Sequence, residues 1–283
     1  ATKTLPATAI QALARDYLVP ENAVVTWYTQ DDEVAEITSA RAPLPAHLAE
    51  IRSPYNLYSE GDLDNRVLYV EASRGCPFTC EFCLSSLEIP VRAFPLDRFL
   101  DTMQDVLDRG ARHFKFVDRT FNLKTAVSIS ILEFFLGCLE RLEGDDPLFL
   151  HFEVIPDRLP DELKQVIARF PPGCLQCVVG VQSFNPRVQA IILRKQDNAA
   201  SVANLAWLTG HSPAHIHSDL IFGLPGDTRV SIADSFDRLV ALAPDEIQLG
   251  ILKRLRGMPM LEQAEQYGLV FCFLGDLPED ERP

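Results

Sequence analysis

The 283 residues are 47% hydrophobic and carry a formal net charge of −14, so the chain can bury a large core but lacks the basic surface of a phosphate-driven nucleic-acid binder. No apolar run approaches the roughly 20 residues that span a bilayer, and the first residues lack the basic-then-apolar order of a signal peptide. We therefore expect a cytoplasmic protein without membrane segments, and the charge disfavours a nucleic-acid partner.

The first 66 residues differ in pattern from the rest of the chain. They predict a short helix over 9–18, strand-like runs over 23–28 and 34–38, and then a proline-rich link. So short a segment cannot build a core of its own. We expect residues 1–66 to be an N-terminal extension that packs on the following domain.

From residue 67 onward, short β-branched or aromatic runs alternate with longer stretches of helical period, which is typical of parallel βα units. The predicted strands are 66–72, 112–118, 148–154, 175–182, 215–222 and 246–253. We expect an α/β fold, a partial (β/α)6 TIM-like barrel over 67–260, and a C-terminal tail over 261–283. Right-handed crossovers bring the carboxyl ends of all strands to one rim, where the site is expected.

Amphipathic helices are predicted between these strands. Segment 95–110 begins at a proline, ends at a glycine and has an apolar stripe of Leu96, Phe99, Leu100, Met103, Val106 and Leu107. Segments 161–170 and 231–244 repeat the pattern, the second with Ile232, Phe236, Leu239 and Val240. We interpret these stripes as core.

Three cysteines stand close together after the first predicted strand. Cys76, Cys80 and Cys83 follow the spacing CxxxCxxC. Structural zinc prefers four ligands in paired motifs, and three close cysteines without a fourth partner leave such a site incomplete. The spacing therefore favours a zinc or redox role less than an iron–sulfur cluster. A cluster of four irons takes three thiolates and leaves one iron open to a further ligand.

The other cysteines have weaker patterns. Cys174 and Cys177 form a CxxC at the start of a predicted strand, where alternation points them to opposite faces. We favour a structural role for this pair over an auxiliary cluster. Cys138 and Cys272 are interpreted as packing thiols.

This cysteine motif after the first strand of a partial barrel resembles that of the radical S-adenosylmethionine superfamily. The resemblance extends to "FKFVDRTFN", "HFEVIPDRL", "VGVQSFN" and "DLIFGLPGDT" in the later strands. It implies that Cys76, Cys80 and Cys83 bind a 4Fe–4S cluster, whose open iron holds S-adenosylmethionine. One electron then cleaves that cofactor to a 5′-deoxyadenosyl radical.

The resemblance also nominates residues that contact S-adenosylmethionine. Asp118 is expected at its amino group, Glu153 and, less firmly, Arg158 at the third strand end, and Phe82 near the adenine. The remaining nominated residues are Gln182 and Ser183 for the ribose, and Ile221 and Gly223 for the adenine. Strand-end carboxylates neutralised by Arg119 or Arg158 are the structural alternative for Asp118 and Glu153. No catalytic residue is assigned.

More narrowly, "RVLYVEASRGCPFTCEFCLSS", "FKFVDRTFN" and "GILKRLRGMP" resemble the branch that carries an N-terminal cobalamin-binding domain. The DxHxxG signature of that domain does not occur in these residues, which argues against cobalamin binding by this chain. Either the chain is a fragment or the domain was lost.

The expected partners are a small-molecule or peptide substrate and an external electron donor of the flavodoxin or ferredoxin type. Three alternatives stay open. They are cobalamin-dependent methyl transfer, transfer-RNA methylthiolation and a non-catalytic zinc or iron–sulfur scaffold. The second is disfavoured because these residues show neither a basic C-terminal RNA-binding domain nor a second clear cluster triad. No sequence motif identifies the substrate.

Overall fold

The computed structural model describes residues 48–142, 148–255 and 257–269. The chain divides into two compact units, Ala1–Ser59 and Glu60–Pro283. The helix and strands predicted before residue 39 lie outside the described residues. In the first unit, the described residues form two short 3-10 helices, Leu48–Glu50 and Tyr55–Leu57.

The second unit is built on a parallel sheet of six strands in the described part of the chain, and the strand order follows the sequence. The strands are β1 (Leu68–Val70), β2 (His113–Phe116), β3 (Phe149–Val154), β4 (Leu175–Gln182), β5 (His215–Phe222) and β6 (Glu246–Ile251). Every neighbouring pair is parallel. The prediction of an α/β partial barrel with six parallel strands is confirmed.

Seven helices connect or flank these strands among the described residues: α1 (Glu60–Asn65), α2 (Leu96–Asp108), α3 (Thr125–Leu139), α4 (Asp161–Ile167), α5 (Pro186–Ile191), α6 (Asn198–His211) and α7 (Arg229–Ala241). Local sequence explains the clearest ends. Asp197 caps α6 by accepting hydrogen bonds from the backbone N–H groups of Ala199 and Ala200. Thr228 and Ser231 form a capping box at α7.

The core lies between the sheet and the helices. Buried and partly exposed residues alternate along β3 and β4, as period-2 geometry requires, so one face of each strand packs against helices. Phe114, Phe116, Phe135 and Phe152 are fully buried and pack ring against ring, with Phe116 and Phe152 centroids 4.5 Å apart. The opposite face of these two strands carries most of their polar residues, namely His151, Glu153, Gln176 and Gln182.

Two sequence expectations need correction. The helical spacing places Val240 in the core stripe of the last helix, but it is 48% exposed, whereas Leu239 beside it is fully buried. Residues 261–269 are expected in the C-terminal tail, but Leu261, Tyr267 and Leu269 pack against a buried apolar cluster that contains Met258 and Met260. These apolar contacts hold the segment against the cluster.

No helix among the described residues is long and apolar enough to cross a membrane.

Candidate functional site

The cysteine loop follows β1, and a backbone contact between its two ends adds to the short antiparallel pairing of Ser73–Arg74 with Arg92–Ala93. Gly75 has φ of +99°, a conformation that glycine adopts readily, and a Cβ there would lie 2.5 Å from the carbonyl oxygen of Glu88. The next residue, Cys76, donates its backbone N–H to that same oxygen at 3.0 Å. The two ends of the loop are therefore held together where the first cysteine begins.

The three cysteines of this loop are free thiols, with Cys80 buried and Cys76 and Cys83 half-buried. Burial raises the pKa of the Cys76 and Cys80 thiols, and the neighbouring thiols of the loop raise them further. The guanidinium of Arg194 lowers both pKa values and hydrogen-bonds the Cys80 sulfur. A positive group therefore lies where two thiolates would form.

All three cysteines line one cavity of about 450 Å³, a volume in the range of small-molecule sites. The cavity lies at the carboxyl ends of the strands. Its other walls come from the segment after β2 (Arg119, Thr120), the end of β3 (Glu153), β4 (Val178, Gly180, Gln182), β5 (Asp219) and the loop after β6 (Leu255). The predicted residues Phe82, Glu153 and Gln182 are thus brought together with the cysteines.

Polar groups in this cavity are held by specific contacts. Glu153 accepts a hydrogen bond from the guanidinium of Arg119 at 2.8 Å. Asp219 pairs with the imidazole of His217, with Nε2 and Oδ1 2.9 Å apart. Burial raises the pKa of Asp219, and Glu153 and Glu246 raise it further by repulsion, whereas His217 lowers it. Two carboxylates therefore face one cavity with a potential cation near each.

Gln182 takes an unusual backbone conformation. Its φ is +68°, and the pairing of β4 with β5 shifts register between Gly180 and Gln182. The Gln182 side chain lies above Gly180, where a Cβ would come within 2.5 Å of its amide nitrogen. A bulge of this kind re-aims a side chain at the end of a strand, which places the Gln182 amide at the cavity wall.

Phe82 joins the cavity to the protein interior. Its ring lines the cavity and also packs against the apolar cluster of Val188, Ile192, Leu224, Met258 and Met260. An aromatic ring between two of the cysteines therefore shields that side of the loop from water.

The other nominated residues do not line this cavity. The hydroxyl of Ser183 is buried and accepts the backbone N–H of Asn185, because it begins the turn into α5. Ile221 packs against the apolar cluster, and Gly223, with φ of +83°, faces Leu252. Arg158 stacks on the Phe78 ring, 5.7 Å from its centroid. These residues support the walls from behind.

Asp118 is also turned away from the cavity. It is 2% exposed, and its carboxylate accepts the backbone N–H of Ala72 at 3.0 Å and the hydroxyl of Ser73 at 2.6 Å. Burial raises its pKa to about 6, although both hydrogen bonds oppose that change. The carboxylate thus ties the segment after β2 to the chain that enters the cysteine loop. Neither Arg119 nor Arg158 neutralises it.

Several residues of the cavity are not nominated by the sequence patterns, and three of them supply polar groups next to the cysteines or the strand ends. They are Arg194, Arg119 and Thr120, and Thr120 is buried with no hydrogen-bond partner for its hydroxyl within the described residues. Asp219 faces the cavity, whereas its place inside a predicted strand suggests a bond to the backbone. Arg119 and Thr120 follow the end of a predicted strand, so their position in the sequence could have nominated them for the site. Nothing near Arg194 in the sequence indicates that it lies close to Cys80.

The CxxC pair is buried in the sheet. Cys174 and Cys177 are free, and burial raises the pKa of Cys177 to about 12. Cys177 lies on the helix-facing side of β4 with Leu175 and Val179. Across the described ranges, no three His, Cys, Asp or Glu side chains converge so as to hold a single metal ion. The structural role favoured for this pair agrees with its burial.

Comparison with protein families places the chain. The model of the Radical SAM superfamily matches residues 70–239, more than half of the chain. The chain belongs to the radical SAM superfamily. Membership implies a 4Fe–4S cluster and S-adenosylmethionine as cofactors, and the match begins at the last residue of β1 and contains the cysteine loop.

Individual relatives of this radical SAM protein are distant. It is 26% identical over 183 residues to the oxygen-independent coproporphyrinogen III oxidase of Cereibacter sphaeroides, covering 61% of this chain and 39% of the oxidase. It is 25% identical over 208 residues to an uncharacterised methyltransferase of Pyrococcus horikoshii, covering 69% of this chain and 41% of that protein. The chain therefore spans about two fifths of the length of these relatives.

A solved structure shares the fold. The radical S-adenosylmethionine methyltransferase TsrM of Kitasatospora setae, with cobalamin and a 4Fe–4S cluster bound, superposes with a TM-score of 0.61 at 19% identity. The match covers 71% of this chain and 40% of TsrM. At this identity the likeness shows the partial-barrel fold of the radical SAM protein.

Proposed function

We propose that this radical SAM protein binds a 4Fe–4S cluster through Cys76, Cys80 and Cys83 and cleaves S-adenosylmethionine reductively in the adjoining cavity. The observation that carries the proposal is the convergence on one cavity of three free cysteines, two carboxylates and two guanidinium groups from separate elements. A small-molecule site with several convergent polar groups is the usual form of an active site.

The donor set at the cysteine end fits an iron–sulfur cluster. Three thiols stand on one short loop, and each iron of a cluster takes its own thiolate, so the three sulfur atoms need not meet at one point. Cluster binding displaces the thiol protons, and Arg194 favours the thiolate form of Cys80. Phe82 and the apolar cluster behind it limit the access of water on one side. A three-cysteine set leaves one iron open.

The strand ends fit the polar groups of S-adenosylmethionine. Glu153 and Asp219 can accept hydrogen bonds from an ammonium group and from ribose hydroxyls, and the Gln182 amide can bond either hydroxyl. Arg194 and Arg119 can pair with a carboxylate, and the unpaired Thr120 hydroxyl offers one further bond. The direct contacts of S-adenosylmethionine with Asp118, Ser183, Ile221 and Gly223 stay predictions, and none of these four residues lines the cavity.

When bound, the reduced cluster would supply the one electron that cleaves S-adenosylmethionine to methionine and a 5′-deoxyadenosyl radical. The chain's own residues orient the cofactor and exclude water from the reacting atoms, which is the usual share of a protein in cofactor chemistry. The partners are an external electron donor of flavodoxin or ferredoxin type and a small-molecule or peptide substrate.

The first experiment tests the cluster and the cleavage together. The chain is reconstituted anaerobically with iron and sulfide, desalted, and then mixed with dithionite and S-adenosylmethionine. We expect roughly four irons per chain and formation of 5′-deoxyadenosine, detected by mass spectrometry.

Matched variants make this experiment specific. Cys80→Ala removes one proposed ligand, whereas Cys138→Ala removes a buried cysteine of α3 outside the cavity. We expect only Cys80→Ala to abolish the cleavage and lower the iron content. Equal iron and equal cleavage in both variants would show that the loop does not hold the cluster.

A second candidate function is cobalamin-dependent methyl transfer with S-adenosylmethionine as methyl donor. It is supported by the Pyrococcus horikoshii relative, named a methyltransferase, and by the cobalamin-bound structure with the same fold. Gel filtration after incubation with hydroxocobalamin tests this function. A corrinoid bound to the chain co-elutes with it and is detected by its visible spectrum. Elution of the corrinoid apart from the chain argues against this function for these residues.

A further inference from the structure

A line of three side chains crosses the inner face of the sheet next to the cavity. His217 and Asp219 stand two residues apart on β5, so both point to the same face, and His217 is in register with Glu246 at the start of β6. The His217 Nε2 atom lies 2.9 Å from Oδ1 of Asp219, and its Nδ1 atom lies 3.2 Å from Oε2 of Glu246. The imidazole therefore bridges two carboxylates.

Burial differs along this line. The side chains of His217 and Asp219 are 13% and 22% exposed, whereas that of Glu246 is 52% exposed. Asp219 lines the cofactor cavity, but neither His217 nor Glu246 is among the residues of that cavity. The line runs from the cavity through a largely buried imidazole to a partly solvated carboxylate on the last strand.

We propose that His217 is a positioning residue that holds the Asp219 carboxylate in the cavity, and that Glu246 holds the His217 ring in turn. The inference rests on the proposed function, in which the Asp219 carboxylate accepts a hydrogen bond from a ribose hydroxyl of S-adenosylmethionine. One carboxylate oxygen of Asp219 is engaged by His217, and the other is left for the nucleoside.

The physical reason is the free energy needed to hold an unsupported carboxylate in one orientation. An aspartate side chain has several rotamers, and burial raises the pKa of Asp219, so an unsupported carboxylate would turn from the cavity or take up a proton. A hydrogen bond from the imidazole fixes one rotamer and favours the charged form. The imidazole donates from both nitrogens only when the ring carries two N–H groups, and a carboxylate that accepts the second N–H then fixes the ring orientation.

Other charged groups share this face. On β5 itself His215 precedes the line, with its Nε2 atom 3.8 Å from Glu246. On β3, Glu153 repels Asp219 electrostatically. His151, also on β3, has its pKa lowered by burial, by Lys115 of β2 and by the nearby His217. The strand between them, β4, places the uncharged Val178 in register with His217. His217 therefore offsets the repulsion between Asp219 and Glu246, while Arg119 pairs with Glu153.

The test is a double-mutant cycle on cofactor binding. The binding of S-adenosylmethionine to the cluster-loaded, oxidised chain is measured by equilibrium dialysis for the unsubstituted chain, His217→Ala, Asp219→Asn and the double variant. We expect each single change to weaken binding about tenfold, because a hydrogen bond to a charged group contributes roughly 1.5 kcal/mol. The double variant should bind no more weakly than Asp219→Asn alone, since His217 acts through Asp219.

Two variants separate positioning from general damage. His217→Gln restores a donor near the position of Nε2, and we expect it to recover most of the lost affinity. His215→Ala removes the neighbouring histidine of the same face, which does not contact Asp219, and should bind as the unsubstituted chain does. Glu246→Gln keeps the shape but removes the charge, and an intermediate loss of about threefold is expected.

A second readout needs no cofactor. In the chain without cluster, the ring nitrogens of His217 are observed by 15N NMR, and we expect Asp219→Asn to change the Nε2 signal and Glu246→Gln the Nδ1 signal. Unchanged signals in both variants would overturn the proposed line.

The outcomes distinguish the two proposals. If the loaded, unsubstituted chain binds no S-adenosylmethionine, the proposed function fails and the positioning role falls with it. The positioning role alone is wrong if the unsubstituted chain binds the cofactor and both His217→Ala and His217→Gln bind it as tightly as that chain does. It is also wrong if the affinity losses of His217→Ala and Asp219→Asn add up in the double variant.

Discussion

Replacing Gly75 by alanine should release the cysteine loop without unfolding the domain. A Cβ at residue 75 would stand 2.5 Å from the Glu88 carbonyl oxygen, whereas ordinary contact begins at 3.4 Å. The neighbour in question is backbone, so it cannot swing aside as a side chain would. The loop must open by roughly 1 Å at the point where Cys76 donates its N–H to the same oxygen at 3.0 Å.

The magnitude follows from two costs. Alanine in the left-handed region costs about 1–2 kcal/mol, and the lost hydrogen bond costs roughly 0.5–1.5 kcal/mol. Together they amount to about 1.5–3.5 kcal/mol, which lowers the population of the closed loop roughly 10- to 400-fold. We expect Gly75→Ala to retain little iron after anaerobic reconstitution and desalting, while its urea midpoint changes only slightly because the loop lies outside the sheet.

Gly173→Ala is the matched control. Gly173 also has a positive φ, +85°, but nothing lies within 4 Å of the position of its Cβ. This variant carries the conformational cost without the collision, and its iron content should equal that of the unsubstituted chain. Equal iron retention by Gly75→Ala and Gly173→Ala would refute the reasoning, since the close approach to Glu88 would then be irrelevant to the cluster.

Three further changes test other parts of the site. Because the pKa of Asp118 is raised to about 6, the folded state binds its proton more tightly than the unfolded state, and the stabilisation present below pH 4 is lost as pH rises through 6. Relative to Asp118→Asn, the unfolding free energy of the chain measured in urea should therefore fall by about 2.5 kcal/mol between pH 4 and pH 7, and a constant difference would disprove the raised pKa. Asn122 is 2% exposed, donates to the carbonyl oxygens of Ile155 and Arg158 and accepts the backbone N–H of Ile155. Asn122→Ala should therefore lower the unfolding free energy by roughly 2–4 kcal/mol. A loss below about 1 kcal/mol would contradict these hydrogen bonds. Arg194→Met should lower the iron content and weaken S-adenosylmethionine binding about tenfold or more, whereas Arg187→Met, on the first turn of α5, should change neither.

Much of the architecture follows from local pattern. The strands predicted over 175–182 and 215–222 have the bounds that the structure shows, because β-branched and aromatic residues bounded by turn residues leave little choice of period. Parallel order follows from the helices between strands, which need a crossover. The spacing of Cys76, Cys80 and Cys83 is likewise local, so the sequence alone reveals it.

Side-chain direction at the strand ends is harder to predict. Asp118 stands two residues beyond β2, where the alternation of the strand no longer applies, and two donors of the β1 segment capture its carboxylate. Val240 has the right helical spacing for the core, but the helix turns it to the surface. For Asp118 the deciding partners are distant in the sequence.

The sequence by itself determined the order of the elements, the parallel sheet and the cysteine motif, because each depends on periodicity or on spacing within a few residues. Only the tertiary structure decided which polar groups share the cavity. Arg194 reaches Cys80, and His217 joins Asp219 to Glu246, because the barrel curvature and the register of neighbouring strands bring separate segments within hydrogen-bond distance. A hydrogen bond depends on position in space to within a few tenths of an ångström, which no local pattern specifies.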